Sequence, residues 1–150
     1  MKIGDIRTPN ALTTFEGTPL AEAARLMRDH RIGALVVLDA RDPGRRPKGM
    51  LTDRDILRGQ IARGADLHCL TVGDVMSNDP LTLALDVSLE EAIEALNARA
   101  VRRAPVVDSR GSLVGIVTLD DLLPAVAREL QSLAELLGKQ PYGGVVHSGL

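Results

Sequence analysis

The sequence predicts an α/β chain of the α+β type, built as two β-α-β-β-α units that pack sheet to sheet as one module. Three observations carry that expectation. The chain repeats itself: displaced by 69, Ile3-Gly4-Asp5-Ile6 falls on Val72-Gly73-Asp74-Val75, Leu12-Thr13 on Leu81-Thr82, Glu22-Ala23 on Glu91-Ala92 and Val37 on Val106. A nine-residue pattern then recurs at a displacement of 66, with GMLTDRDIL at Gly49 to Leu57 and GIVTLDDLL at Gly115 to Leu123. The three-residue difference falls within ARDPGRRPK, residues 40–48, a polar stretch rich in proline and glycine that reads as a loop. An insertion confined to a loop is what a duplicated fold tolerates.

The elements follow in order. Leu12-Thr13-Thr14 and Leu81-Thr82-Leu83 read as short strands. Thr18 is placed to cap a helix with Pro19 at its first position, and Leu20, Ala23, Ala24 and Met27 keep a 3.6-residue period behind it. In the second copy Ser88 and Glu91 have the spacing of a capping box, followed by Leu89, Ala92, Ile93 and Leu96. The apolar runs 34–38 and 105–107 predict buried strands, each paired to a strand at 49–51 or 115–117. A second helix follows each Thr-x-x-Asp, from Asp53 to about Arg63 and from Leu119 to about Leu137. A unit of this size has a thin core alone, so the copies should pack together. The division is 1–66 for the first repeat, 67–138 for the second with its extended C-terminal helix, and 139–150 for a loosely ordered tail.

Composition excludes several classes of function. Of the residues 45% are hydrophobic, yet Phe15 and Tyr142 are the only aromatics, so the core is aliphatic and base-stacking platforms are missing. A net charge of −2 gives no footprint for nucleic acid or an anionic membrane. The single cysteine, Cys69, forms no internal disulfide, the first ten residues lack the apolar core of a secretory signal, and no apolar run is long enough to span a bilayer. The expectation is a soluble cytoplasmic protein. His30, His68, His147 and Cys69 show no metal-ligand spacing, and His68 reads as a linker histidine beside a half-buried cysteine. No paired nucleophile and base can be named, so the chain reads as non-enzymatic.

The recurring motif has a chemistry. Its glycine permits close approach of backbone or ligand. The strand after it ends at Thr52 or Thr118, where a helix begins, and a helix N-terminus offers N–H donors and the positive end of a dipole to an anion. The threonine hydroxyl can add a hydrogen bond to a phosphate, and the aspartate can accept from both hydroxyls of a ribose. The same Thr-x-x-Asp is also a capping box that needs no ligand.

The doubled Gly-φ-φ-Thr-x-x-Asp-φ, together with TVGDVMSNDPLTL and RRAPVVD, resembles a tandem pair of CBS domains over residues 2 to about 137, with almost nothing else attached. The resemblance implies a pseudo-two-fold disc that dimerises and binds adenosine-containing ligands (AMP, ADP, ATP or S-adenosylmethionine) in clefts between the repeats, and regulates another protein, unidentified here. It implies no required cofactor. Thr52 and Asp55 would serve one cleft, Thr118 and Asp121 the other. Before the inner strand the second copy has Arg102-Arg103 where the first is read as having Ile32-Gly33; these arginines would carry phosphate charge, with Arg54 as a further cation. Thr13 and Thr82, at the entry to the first strands, are weaker candidates for ligand contact. Leu122, Val126, Leu130, Leu133 and Leu137, widened by Leu123 and Leu136, form an apolar stripe on the last helix, most simply a surface for a second copy. The competing reading is a structural interaction module without a small-molecule ligand.

Overall fold

The structure, a computed structural model, describes residues 1–64 and 66–139. The one-turn helix α1 (Ile3–Ile6) leads to β1 (Thr13–Phe15), α2 (Leu20–His30), β2 (Ala34–Leu38), β3 (Pro47–Thr52) and α3 (Asp53–Arg63). A 3-10 turn at Leu67–Cys69 leads to α4 (Val72–Val75), β4 (Ser77–Asn78), β5 (Leu83–Ala84), α5 (Leu89–Arg99), β6 (Arg103–Val107), β7 (Leu113–Thr118) and α6 (Leu119–Lys139). Each repeat thus holds the expected β-α-β-β-α core. β1 runs parallel to β2 and β2 antiparallel to β3; β5, β6 and β7 repeat that pairing.

The one-turn helices exchange places. Ile3 is fully buried in the core of the second repeat, beside Leu89, Ala92 and Val117, while Leu70, Val72 and Met76 complete the core of the first with Leu20, Leu35 and Leu51. Backbone bonds fix the exchange: Ile3 N–H donates to Val87 O and Gly4 N–H to Leu85 O, and Val72 N–H donates to Thr18 O and Gly73 N–H to Glu16 O. β4 then joins the edge of β3, and Thr8 makes the matching antiparallel bridge to Ile116 of β7. A third apolar cluster, Ala34, Val36, Leu38, Met50 and Leu113, lies between the two sheets and packs the repeats together.

Four expectations are corrected. Pro19, not Thr18, is the N-cap of α2, and no side chain caps it; the crossing segment pairs with this entry, and Leu20 N–H donates to Leu70 O instead. β1 and β5 begin at Thr13 and Leu83, one and two residues late. Cys69 is exposed, because the turn capped by Asp66 directs Leu67 and then Leu70 inward and leaves Cys69 outside. The last helix reaches Lys139. Ser88 accepts the Glu91 N–H at 3.1 Å, its half of the box. The tail from 140, with His147, lies outside the described residues. No helix among the described residues is long and apolar enough to cross a membrane.

Candidate functional site

β3 ends at Thr52 in an extended conformation and α3 starts at the next residue. Thr52 Oγ1 accepts the Asp55 N–H at 3.1 Å, and Asp55 Oδ2 accepts the Thr52 N–H at 2.9 Å, so the capping box is complete. Among the described residues, no donor bonds Asp55 Oδ1, and the Thr52 hydroxyl keeps its proton free to donate. Capping and ligand contact are therefore compatible: the box uses one lone-pair set of each side chain and leaves another.

This junction forms one wall of a cleft of about 430 Å³. Met50, Thr52, Asp53, Arg54 and Asp55 come from the first repeat; Ser77 to Leu81, and Arg99 to Arg103 at the α5–β6 connection, come from the second. The cleft therefore lies between the repeats and brings Thr52, Asp55, Arg102 and Arg103 into one lining. Sequence reasoning did not place Asp53, Asn78, Asp79 or Arg99 here. Arg99 Nη2 donates to the Asp79 carbonyl at 2.6 Å, holding a residue whose φ is +53°. Aspartate tolerates that left-handed conformation better than most residues.

The helix N-terminus behaves differently from expectation. The Asp53 N–H donates to Gly33 O at 3.1 Å, the Arg54 N–H to Asp53 Oδ1 at 2.8 Å, and the Asp55 N–H to Thr52 Oγ1. The donors of the first turn are consumed by the protein, so only the dipole remains for an anion. The donors left facing the cleft are the Thr52 hydroxyl and the guanidinium groups.

The alignment of the arginines also shifts by one. Arg31 is the C-cap of α2 and Ala100 that of α5, both left-handed with φ of +54°, and Ala34 pairs with Thr52 as Arg103 pairs with Thr118. Arg102-Arg103 therefore matches Gly33-Ala34, not Ile32-Gly33. A Cβ placed on Gly33 would lie 3.6 Å from Arg103 Nη1 and 3.5 Å from Asp53 Oδ2, so Arg103 reaches across to the first repeat.

The other candidates lie elsewhere. Asp121 Oδ2 accepts the Thr118 N–H at 2.9 Å and the Thr118 hydroxyl at 3.3 Å, and Oδ1 accepts the Thr8 hydroxyl at 3.4 Å. Neither Thr118 nor Asp121 lines the 430 Å³ cleft. Thr13 is half-buried in β1 opposite Val36, and Thr82 is exposed just before β5; neither reaches the cleft, although Leu81 does. Thr71 and Asp74 repeat the Thr-x-x-Asp spacing and the box, at 2.8 Å, with no part in the cleft. Among the described residues no group of His, Cys, Asp or Glu could hold a metal ion.

The doubled motif and the exchanged helices coincide with a family profile: CBS domain, matching residues 3–61 and 72–128. The chain belongs to the CBS domain family. It is 38% identical over 120 residues to the CBS domain-containing protein YhcV of Bacillus subtilis, covering 80% of this chain and 81% of that one. It is 30% identical over 123 residues to the uncharacterized protein MK0525 of Methanopyrus kandleri, covering 82% of this chain and 61% of that longer protein. The crystal structure of CBSX2 in complex with AMP superposes with a TM-score of 0.72 at 28% identity, over 85% of this chain and 96% of that one.

Proposed function

We propose that the chain is a non-enzymatic regulatory module that binds an adenosine-containing ligand, AMP, ADP, ATP or S-adenosylmethionine, in its inter-repeat cleft. One observation carries this reading: Thr52 and Asp55 from one repeat and Arg102 and Arg103 from the other line the same cavity. Asp55 Oδ1 accepts the ribose hydroxyls, the Thr52 hydroxyl donates to a phosphate oxygen, and the arginines meet phosphate charge through forked donors. The AMP complex of CBSX2 supports the ligand class. A ligand gripping both walls favours one relative packing of the repeats, and that differential affinity is what a switch requires. The protein so regulated is unidentified. The exposed free thiol of Cys69 suits a reducing cytoplasm.

The same reading includes a homodimer. Leu123, Leu130, Leu133 and Leu137 of α6 are 61–72% exposed, and with Val126 they alternate at three- and four-residue spacings along one face. Leu57 of α3, at the position equivalent to Leu123, is exposed to the same degree. A pseudo-two-fold module with matching apolar positions on matching helices is self-complementary to a second copy.

The test is calorimetric titration of the full, nucleotide-stripped chain with the four ligands, in wild type and Asp55→Ala. Saturable binding lost in the variant supports the reading. A second reading, a scaffold whose Thr-x-x-Asp units are only caps, is favoured by the box at Thr71 and Asp74, which forms outside the cleft. It predicts no heat from any of the four.

A further inference from the structure

The two copies of the motif share sequence, but their surroundings differ in charge and in hydrogen bonding. Four arginines, Arg54, Arg99, Arg102 and Arg103, line the open cleft against three carboxylates, Asp53, Asp55 and Asp79. Among the described residues, no carboxylate lies within 4.0 Å of any of these guanidiniums. At the equivalent positions around the second motif stand Asp120, His30, Gly33 and Ala34, so the basic charge is concentrated on one side of the pseudo-two-fold axis.

The carboxylates differ in the same sense. Asp55 spends one oxygen on its capping box, whereas both oxygens of Asp121 are engaged by protein donors. The extra donor is Thr8, whose counterpart in the first half is Ser77; Ser77 lines the open cleft and makes no bond to Asp55 among the described residues. A ribose at the second motif would have to displace Thr8 and would find an acidic Asp120 where its phosphates need a cation.

We infer that the chain takes one ligand per copy, at the Thr52/Asp55 cleft, and selects it by negative charge: a nucleoside di- or triphosphate, not a sulfonium nucleoside. The Thr118/Asp121 copy holds the amino-terminal crossing segment in place. This rests on the nucleotide reading above and adds its stoichiometry and its charge requirement. Because the first-turn N–H donors of α3 are consumed internally, the arginines are the source of that selection. Arg102 and Arg103 enter from the repeat opposite Asp55, so polyphosphate draws the two walls together.

The experiment is titration of the full chain with ATP, AMP, adenosine, S-adenosylmethionine and inorganic tripolyphosphate, in wild type and in Arg102→Gln/Arg103→Gln. Expected are one site per chain, affinity falling from ATP through AMP to adenosine, and no competition from S-adenosylmethionine. The double variant should lose about tenfold or more for ATP, since a charge-assisted hydrogen bond exceeds the energy of one decade, while adenosine is unaffected. Thermal melts of the variant confirm that it folds. Two sites per chain, or equal losses for ATP and adenosine, or S-adenosylmethionine binding as well as ATP, overturns the inference and leaves the adenosine reading standing. Saturable tripolyphosphate binding with no response to adenosine compounds does the reverse: charge selection stands and the nucleoside reading falls.

Discussion

Gly49 and Ser77 approach so closely that a Cβ on the glycine would stand 2.6 Å from the serine carbonyl oxygen, and Gly115 stands in the same relation to the Thr8 carbonyl, again at 2.6 Å. The glycine that opens each motif therefore serves the backbone of the crossing segment. Its side-chain-free face is what lets that segment lie against β3 or β7.

Gly49→Ala and Gly115→Ala should accordingly destabilise the fold by about 1–3 kcal/mol, the range of overpacking against unyielding backbone. Gly17→Ala, where nothing lies within 4 Å, is the control and should be nearly neutral. Chemical denaturation of the three variants checks this; equal effects at 17 and 49 would refute the close-approach account.

Asp55→Ala should abolish ligand binding at a stability cost of about 1 kcal/mol, the usual worth of a cap. Asp74→Ala breaks a box of the same spacing outside the cleft and should lower the melting temperature with binding intact. Paired calorimetry and melting curves separate the two; loss of binding in both variants would show that the effect is global.

The Asp74 carboxyl is held below its ordinary value of 3.8, first by the Thr71 backbone N–H and then by the Thr71 side chain. A carboxyl whose folded pKa is depressed stabilises the protein above the ordinary value, and that contribution fades as pH falls through the lower, folded one. Asp39 is depressed in the same direction, chiefly by the Arg41 backbone N–H. Stability should therefore decline as pH drops below about 4, and Asp74→Asn should make that decline shallower. Melting temperatures at a series of acid pH values test the sign, and an unchanged slope would contradict it.

On α6, Leu122 and Ala125 are buried against the module while Leu130 and Leu133 are 61% and 63% exposed. Leu130→Glu/Leu133→Glu should convert a dimer to a monomer without lowering nucleotide affinity. Sedimentation at several concentrations reads this out; a wild-type chain that stays monomeric throughout would dispose of the dimer.

What the sequence made legible was whatever is written as periodicity or repetition. The buried run at 34–38, the amphipathic faces of α2 and α5 and the Thr52 cap all follow from spacing, and the run expected at 105–107 is buried one residue earlier, at 104–106. What it hid depends on contacts between distant parts of the chain. Ile3-Gly4-Asp5-Ile6 and Val72-Gly73-Asp74-Val75 are too short to show a helical period, and their exchange is visible only in the hydrogen bonds to Val87, Leu85, Thr18 and Glu16. The site was half legible. Thr52, Asp55, Arg102 and Arg103 were named, but Arg99 and Asp79 enter through a tertiary turn, and the fate of the α3 N–H donors turns on the Gly33 carbonyl, in the connection just before β2. Thr71 and Asp74 show why spacing alone does not choose between cap and ligand.

The exchanged helices also govern the order of assembly on the ribosome. The first repeat lacks Val72 and Met76 until the chain has grown past them, and Ile3 must wait for Val117 and Ala125, more than a hundred residues later. Such distant pairings raise the contact order and slow folding relative to two independent units. A chain severed between residues 66 and 67 would yield two halves that each carry a piece of the other's interior. Neither half would be expected to fold alone, yet mixed together they hold everything needed to reassemble.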